Sequence, residues 1–416
     1  MLCVSKAMLR QAALIVLTTL TAIPLLEAQS QRAADKQDRR DPAAVVYVET
    51  NSPDGNAVLA FNRDPRGRLS LMGTYPTGGT GVFDASLKLG PFDSDQNLIA
   101  NPERTHLFAV NSGSNSIAVF DIANNGALTP VAGSPFPSGG TNPVSIGLAR
   151  DVLAVVNKGM DPAQPAGAAN YAAFRVTPRG QLTALLSTET IDPAVSATQA
   201  LISPSKQLVF GADFLGGLLR SFLVLPDGAL LQTGLVAPPA FQANGTTAAA
   251  LPLGLAAHPA QPLVYVGFVT VNRIGLYTYD ERGHLTFIHS VADSGAAVCW
   301  LVTNAAGTRL YASNTGDNSI SVYDTSSPFN PVEIQHLVLT GSGSAFQIAL
   351  DPVEAYLYVV TQRATVETPL GEGNNLHVLS INEATGRLSQ NAHSITRLDV
   401  QPLGTRPQGV VAMQPR

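Results

Sequence analysis

The strongest constraint on the fold is a short apolar phrase that recurs along the whole chain. It appears as "VVYV" (from Val45), "LFAV" (from Leu107), "LAVV" (from Leu153), "LVFG" (from Leu208), "LVYV" (from Leu263), "LYAS" (from Leu310) and "LYVV" (from Leu357). A spacing of about 45–60 residues is the period of four-stranded propeller blades. Two copies with their continuations, "LFAVNSGSNSIAVFDI" from Leu107 and "LYASNTGDNSISVYDT" from Leu310, are close to identical in pattern. Each phrase leads through an Asn/Gly turn into a second run such as "SIAVF" or "SISVY", and then into a third such as "RGRLSLMGT" or "ERGHLTFIHS". Short runs rich in Val, Leu, Ile, Tyr and Phe, bounded by Gly, Asn, Asp and Pro, are strands. No helical periodicity is sustained after the first thirty or so residues, so the fold class is all-β.

Six of the phrases are preceded by a strand of small apolar residues: "NLIANP", "VSIGLA", "QALISP", "LGLAAHP", "WLVTNA" and "QIALDP". The seventh such strand, "QGVVAM" from Gln408, lies near the C-terminus with no second strand after it, while "VVYV" from Val45 has no such strand before it. Joining the two completes seven antiparallel four-stranded blades and closes the ring, which leaves no open sheet edge. One blade cannot bury both of its faces, so residues 44–416 are expected to form one cooperative domain.

Ahead of that domain, Lys6 and Arg10 precede the apolar stretch Ala12–Leu26, and "LLEAQS" offers a cut after Ala28. This is the layout of an export signal over residues 1–28. A retained membrane anchor is the alternative, but the stretch is interrupted by Pro24 and is short of the roughly 20 residues a span requires. Residues 29–43 read as a charged linker, and the destination as periplasmic or secreted. Cleavage would leave Cys299 as the one cysteine, so stability would come from packing and sheet hydrogen bonds rather than disulfides. The net charge of −5 gives no footing for nucleic acid. A monomer without a membrane span is expected after cleavage.

The wording "SPSKQLVF", "NAAGTRLYASNTGDNSISVYD" and "EATGRLSQ" resembles the lactonase-type seven-bladed propellers. That family includes the propeller 6-phosphogluconolactonases and the carboxymuconate-lactonizing cyclases; "LYASNTGDNSISVYD" is also close to the YVTN repeats of exported propellers. The resemblance implies a carboxylic ester hydrolase acting on a sugar lactone or related cyclic ester, without a cofactor. Enzymes of the family open an inner strand with Pro-Arg-His and place a Glu after the Asn that ends the next strand. Here the Arg position holds Gln96, Val144, Thr198, Leu253, Cys299, Phe346 and Gln408, and the His position holds Asn97, Ser145, Gln199, Gly254, Trp300, Gln347 and Gly409. The strand-ending asparagines Asn111, Asn157 and Asn314 are followed by Ser112, Lys158 and Thr315. The charged catalytic set is therefore not carried over.

Neutral groups take its place. Gln96, Asn97, Ser145, Gln199, Trp300 and Gln347 at the inner-strand starts could bind a polar uncharged ligand, or could instead bond to backbone and water around the channel mouth. Asp213, at the place of Asn111, is the candidate general base, with a turn-stabilising role as its alternative. Lys158 and Arg363 are loop charges able to orient a carboxylate. The seven histidines show no ligand spacing, and no metal site is expected. Two readings follow: a lactonase, or a non-catalytic propeller that binds a carbohydrate or an envelope protein.

Overall fold

A computed structural model describes residues 43–83, 94–160, 165–243, 246–363, 367–391 and 393–416. The expected export signal, and the charged linker up to residue 42, lie outside the described residues. The rest forms seven four-stranded antiparallel sheets arranged as a propeller. Numbered from the N-terminus, the inner strands of blades 2 to 7 are Leu98–Ala100, Pro143–Ala149, Leu201–Ile202, Pro252–Ala257, Val298–Thr303 and Ser344–Leu350. Blade 1 takes its inner strand, Gln408–Met413, from the other end of the chain.

The second strand of each blade is the recurring apolar phrase, and its continuous hydrophobicity has a direct cause. In Ala44–Glu49 every residue is buried, because the pleat sends alternate side chains to opposite faces and both faces meet a neighbouring blade. Val45 and Tyr47 pack with Leu98, Leu107 and Phe120 of blade 2, whereas Val46 and Val48 pack with Tyr358 and Val360 of blade 7. The pattern repeats one blade on: Leu107 and Ala109 face back toward blade 1, and Phe108 and Val110 face blade 3. The outermost strands, such as Leu69–Pro76, alternate between exposed and half-buried residues and read accordingly as mixed sequence.

The ring closes as the repeat implied. Gln408–Met413 pairs antiparallel with Ala44–Glu49, with Tyr47 opposite Val411. A second device ties blade 1 to blade 7 further out. The Arg63 guanidinium lies 2.9 Å from Asp351 and 4.6 Å above the Tyr356 ring, and Tyr358 donates its hydroxyl to Asp351. The two repeated asparagines explain the glycines around them. A Cβ on Gly79 would lie 2.4 Å from the Asn111 amide nitrogen, and one on Gly295 would lie 2.0 Å from that of Asn314. In each case the loop entering the blade passes too close over the Asn for any side chain.

Several local features go beyond the repeat. The outer strands of blades 2 and 7 are split in two, and a hairpin, Phe241–Ala243 with Thr246–Ala248, stands between blades 4 and 5. More consequential are register shifts at the start of the inner strand, which recur in blades 1, 3, 5, 6 and 7. Bulges of this kind re-aim side chains, and here they act where the sheets converge on the axis.

Because Arg63 and Asp351 are both fully buried, removing one partner strands the other charge. Asp351→Ala should therefore lower unfolding stability by about 3–5 kcal/mol, read from denaturant unfolding. A loss under about 1 kcal/mol, as for a surface pair, would show that the triad does not hold the ring.

Candidate functional site in the central channel

The segment Ser94–Asn97, which leads into the inner strand of blade 2, runs across one end of the axial channel. Its hydrogen bonds reach four other blades. Gln347 of blade 7 donates to the Ser94 carbonyl at 2.8 Å and to the Asn97 side chain, and accepts from the Gly409 backbone of blade 1. The Asn97 amide donates to Gln408 of blade 1 at 2.9 Å and to the Val144 carbonyl of blade 3 at 2.7 Å. Ile146 of blade 3 donates to the Gln96 carbonyl at 3.0 Å, and the Asp95 backbone donates to the Thr198 carbonyl of blade 4 at 3.2 Å. Gln199 of blade 4 donates to Gln96 at 3.0 Å and exchanges both kinds of hydrogen bond with the Leu255 backbone of blade 5. Amides suit this place because each carries donors and an acceptor and can be buried without charge.

The remaining arc of the same mouth is apolar. Leu253, Cys299, Trp300 and Phe346 form one buried cluster, with the Trp300 and Phe346 rings 5.5 Å apart and nearly perpendicular. These are the bulged residues of blades 5 to 7. Gly254 lets two inner strands touch there, since a Cβ on it would lie 2.2 Å from the Cys299 carbonyl. The positions at which the lactonase pattern would place Arg and His are thus largely used up in sealing one end of the ring.

Below the seal lies a blind channel of about 490 Å³, within the usual range for small-molecule sites. Its walls are apolar residues of six inner strands, among them Leu98, Leu201, Leu255, Leu301 and Ile348, and it extends to Pro204 and Pro259 at the opposite face. No Lys, Arg or His is among its lining residues in the described part of the chain. Its closed end carries Asp95, Gln96 and Gln199. Gln96 has a left-handed backbone, φ 59°, and both it and Asp95 line the channel. Burial pushes the Asp95 carboxyl up to about 7, against the lowering effect of the Gln96 backbone N–H that it accepts at 2.8 Å.

The structure divides the candidates named from sequence. Gln96 and Gln199 line the channel. Asn97 and Gln347 are buried within the seal, as is Trp300 in its apolar arc. Ser145 is fully buried and accepts from the Ala200 backbone at 3.0 Å. Asp213 is also fully buried, with one carboxylate oxygen 2.7 Å from Arg220 and the other without a hydrogen bond among the described residues. Burial raises it to about 6 against the pull of Arg220. Lys158 and Arg363 lie at the sealed face, where the Lys158 backbone donates to Asn142 and the Arg363 side chain to the Thr368 carbonyl. Among the described residues no group of three or more His, Cys, Asp or Glu is placed to hold a metal ion.

Asp95 was not singled out from sequence, although a signal for it existed. It stands one position before the aligned pair of columns, where the other blades carry Pro143, Ala197, Pro252, Val298, Ala345 and Pro407. It is the one charged residue in that column.

A seven-bladed propeller with a channel along its axis is the class of protein that the fold defines. No protein-family model matches the sequence, and no curated protein sequence is significantly similar to it. Solved structures do match in fold. A candidate 6-phosphogluconolactonase from Bacteroides uniformis has a TM-score of 0.65 at 16% identity, over 90% of this chain and 100% of its own. The periplasmic gluconolactonase of Pseudomonas aeruginosa has a TM-score of 0.64 at 16% identity, over 90% and 100%. A hypothetical selenium-binding protein from Sulfolobus tokodaii has a TM-score of 0.60 at 11% identity, over 90% and 94%. The lactonase-type propeller fold read from the repeat is therefore the fold observed, and the third match illustrates that this fold alone does not specify chemistry.

A carboxyl held near 7 by burial makes the folded state bind its proton more tightly than the unfolded chain, whose Asp titrates at 3.8. The native protein should therefore lose stability as pH rises from about 4 to about 7. Asp95→Asn should raise the melting temperature at pH 8 and leave it nearly unchanged at pH 4. Equal effects at both values would show that the carboxyl is not held in this state.

Proposed function

We propose that the chain is an exported hydrolase of an uncharged sugar lactone or a related cyclic ester, bound in the axial channel. The observation that carries this reading is the channel itself: a cavity without a cation among its described lining residues, apolar along its walls, and closed by two side-chain amides and a carboxyl. A neutral ring with hydroxyl groups can meet both surfaces at once. A phosphorylated or carboxylated substrate would enter a low-dielectric site without a counter-charge and would face Asp95.

The lactonase-type fold, shared with a periplasmic gluconolactonase, supports ester hydrolysis and export. So does the signal-like N-terminus. No helix among the described residues is long and apolar enough to cross a membrane. A non-catalytic propeller binding a carbohydrate or an envelope protein is the second reading. It is favoured by the buried state of Asn97, Gln347 and Ser145, which leaves the sealed face without a charged catalytic group at those positions.

Incubation of the purified full-length chain with aldonolactones, phosphorylated aldonolactones and muconolactones separates these readings. Uncharged lactones should be opened with a kcat/KM at least about tenfold above that for the charged ones, a difference of about 1.4 kcal/mol in transition-state binding. Equal or better use of the phosphorylated substrate would contradict the assignment. Thermal stabilisation by sugars without turnover would favour the binding protein.

A further inference from the structure

We propose that Asp95 is the general base of this hydrolysis, acting at the closed end of the channel on a cyclic ester whose carbonyl oxygen is held by the Gln96 side-chain amide. The proposal rests on the hydrolase reading above and adds to it the catalytic residue, the reacting position and the face of entry.

The placement follows from the seal. Asp95 cannot turn away from the channel freely, because its backbone N–H is fixed to the Thr198 carbonyl and its carboxylate accepts from the next backbone N–H. Gln96 is fixed just as firmly. Its carbonyl accepts from Ile146, its side-chain oxygen accepts from Gln199, and its φ of 59° holds the turn. With the oxygen occupied, the Gln96 amide nitrogen, which has no hydrogen-bond partner among the described residues, is the group left to donate into the cavity. A base and a neutral donor on adjacent residues, both set by long-range hydrogen bonds, satisfy the preorganisation that ester hydrolysis needs. Substrate enters past Pro204 and Pro259, since the other end is shut.

The step balances without a cofactor. Asp95 takes a proton from water as the water oxygen bonds to the lactone carbonyl carbon, and the developing oxyanion is held by the Gln96 N–H. Collapse of the tetrahedral intermediate breaks the ring C–O bond. The leaving alkoxide takes the proton back from Asp95, and the product is the open-chain hydroxy acid. In solvent the acid then gives up its proton to water, and the resulting carboxylate does not re-enter a channel whose described lining carries no cation.

A base near 7 is matched to this work at neutral pH. The groups packed around it are Ser94, Gln96 and Asn97 from its own segment and Thr198 and Gln199 from blade 4, none of which titrates. No other titratable group is among the described residues that line the channel.

The test measures turnover of an uncharged aldono-1,5-lactone by wild type, Asp95→Asn and Asp213→Asn, with the spontaneous opening subtracted. Wild-type kcat/KM should rise with pH through about 7. Asp95→Asn should lose about 100-fold or more while melting no lower than wild type at pH 8, which excludes misfolding as the cause. Asp213→Asn should stay within about threefold, because Asp213 lies outside the channel lining. If wild type is active and Asp95→Asn keeps at least half of that activity, the assignment of Asp95 is overturned and the hydrolase reading stands. If wild type opens none of the uncharged lactones, the hydrolase reading falls, and the assignment with it.

Discussion

The pairing of Gln408–Met413 with Ala44–Glu49 is the interaction on which the rest depends. Until the C-terminal strand is in place, blade 1 has no inner edge and the apolar faces of blades 1 and 7 have no settled partner. The same strand carries Gln408 and Gly409, which bond to Asn97 and Gln347 in the axial seal. Closure of the ring and closure of the channel are thus one event. The Arg63–Asp351–Tyr358 triad, close to the same junction, adds a polar lock at a place where apolar packing alone would tolerate slippage.

The seal shows how a propeller can dispense with a charged mouth. Arg and His at the inner-strand starts would need counter-charges or solvent at the narrowest point of the ring. Mutually bonded amides and an apolar arc around Trp300 need neither. The hydrogen-bonded face, with Lys158 and Arg363 in its loops, is separated from the channel by these contacts, and the channel's described lining extends to Pro204 and Pro259 at the other face.

Much of the fold was legible from sequence, for physical reasons. A strand buried on both faces must be apolar throughout, so the recurring phrase from Val45 to Leu357 marked each blade, and the unpaired strand at Gln408 marked the closure. The Asn111 and Asn314 turns were legible as repeats, although the glycines packed over them become intelligible only in three dimensions. The site was less legible. Gln96 and Gln199 were visible as polar residues at strand starts, yet nothing local distinguishes Gln199 from Gln347, both buried and only the first against the channel. That distinction is made by partners far away in sequence, such as Asn97 with Gln347 and Gln408. Asp213 read as a candidate base or a turn residue because Arg220, its partner, reaches it across a strand pair from the next strand. Asp95 was passed over because its column in the repeat is otherwise Pro, Ala or Val.

On the proposal above, lactone opening takes place just inside the hydrogen-bonded Ser94–Asn97 end of the ring. The most direct measurement is a crystal structure of Asp95→Asn soaked with an uncharged aldonolactone. The account predicts ligand density inside the channel, against residue 95 and the Gln96 amide, with the Asn97–Gln347–Gln408 hydrogen bonds intact. Ligand bound on the outer side of those amides, near Lys158 or Arg363, with the channel empty, would contradict it.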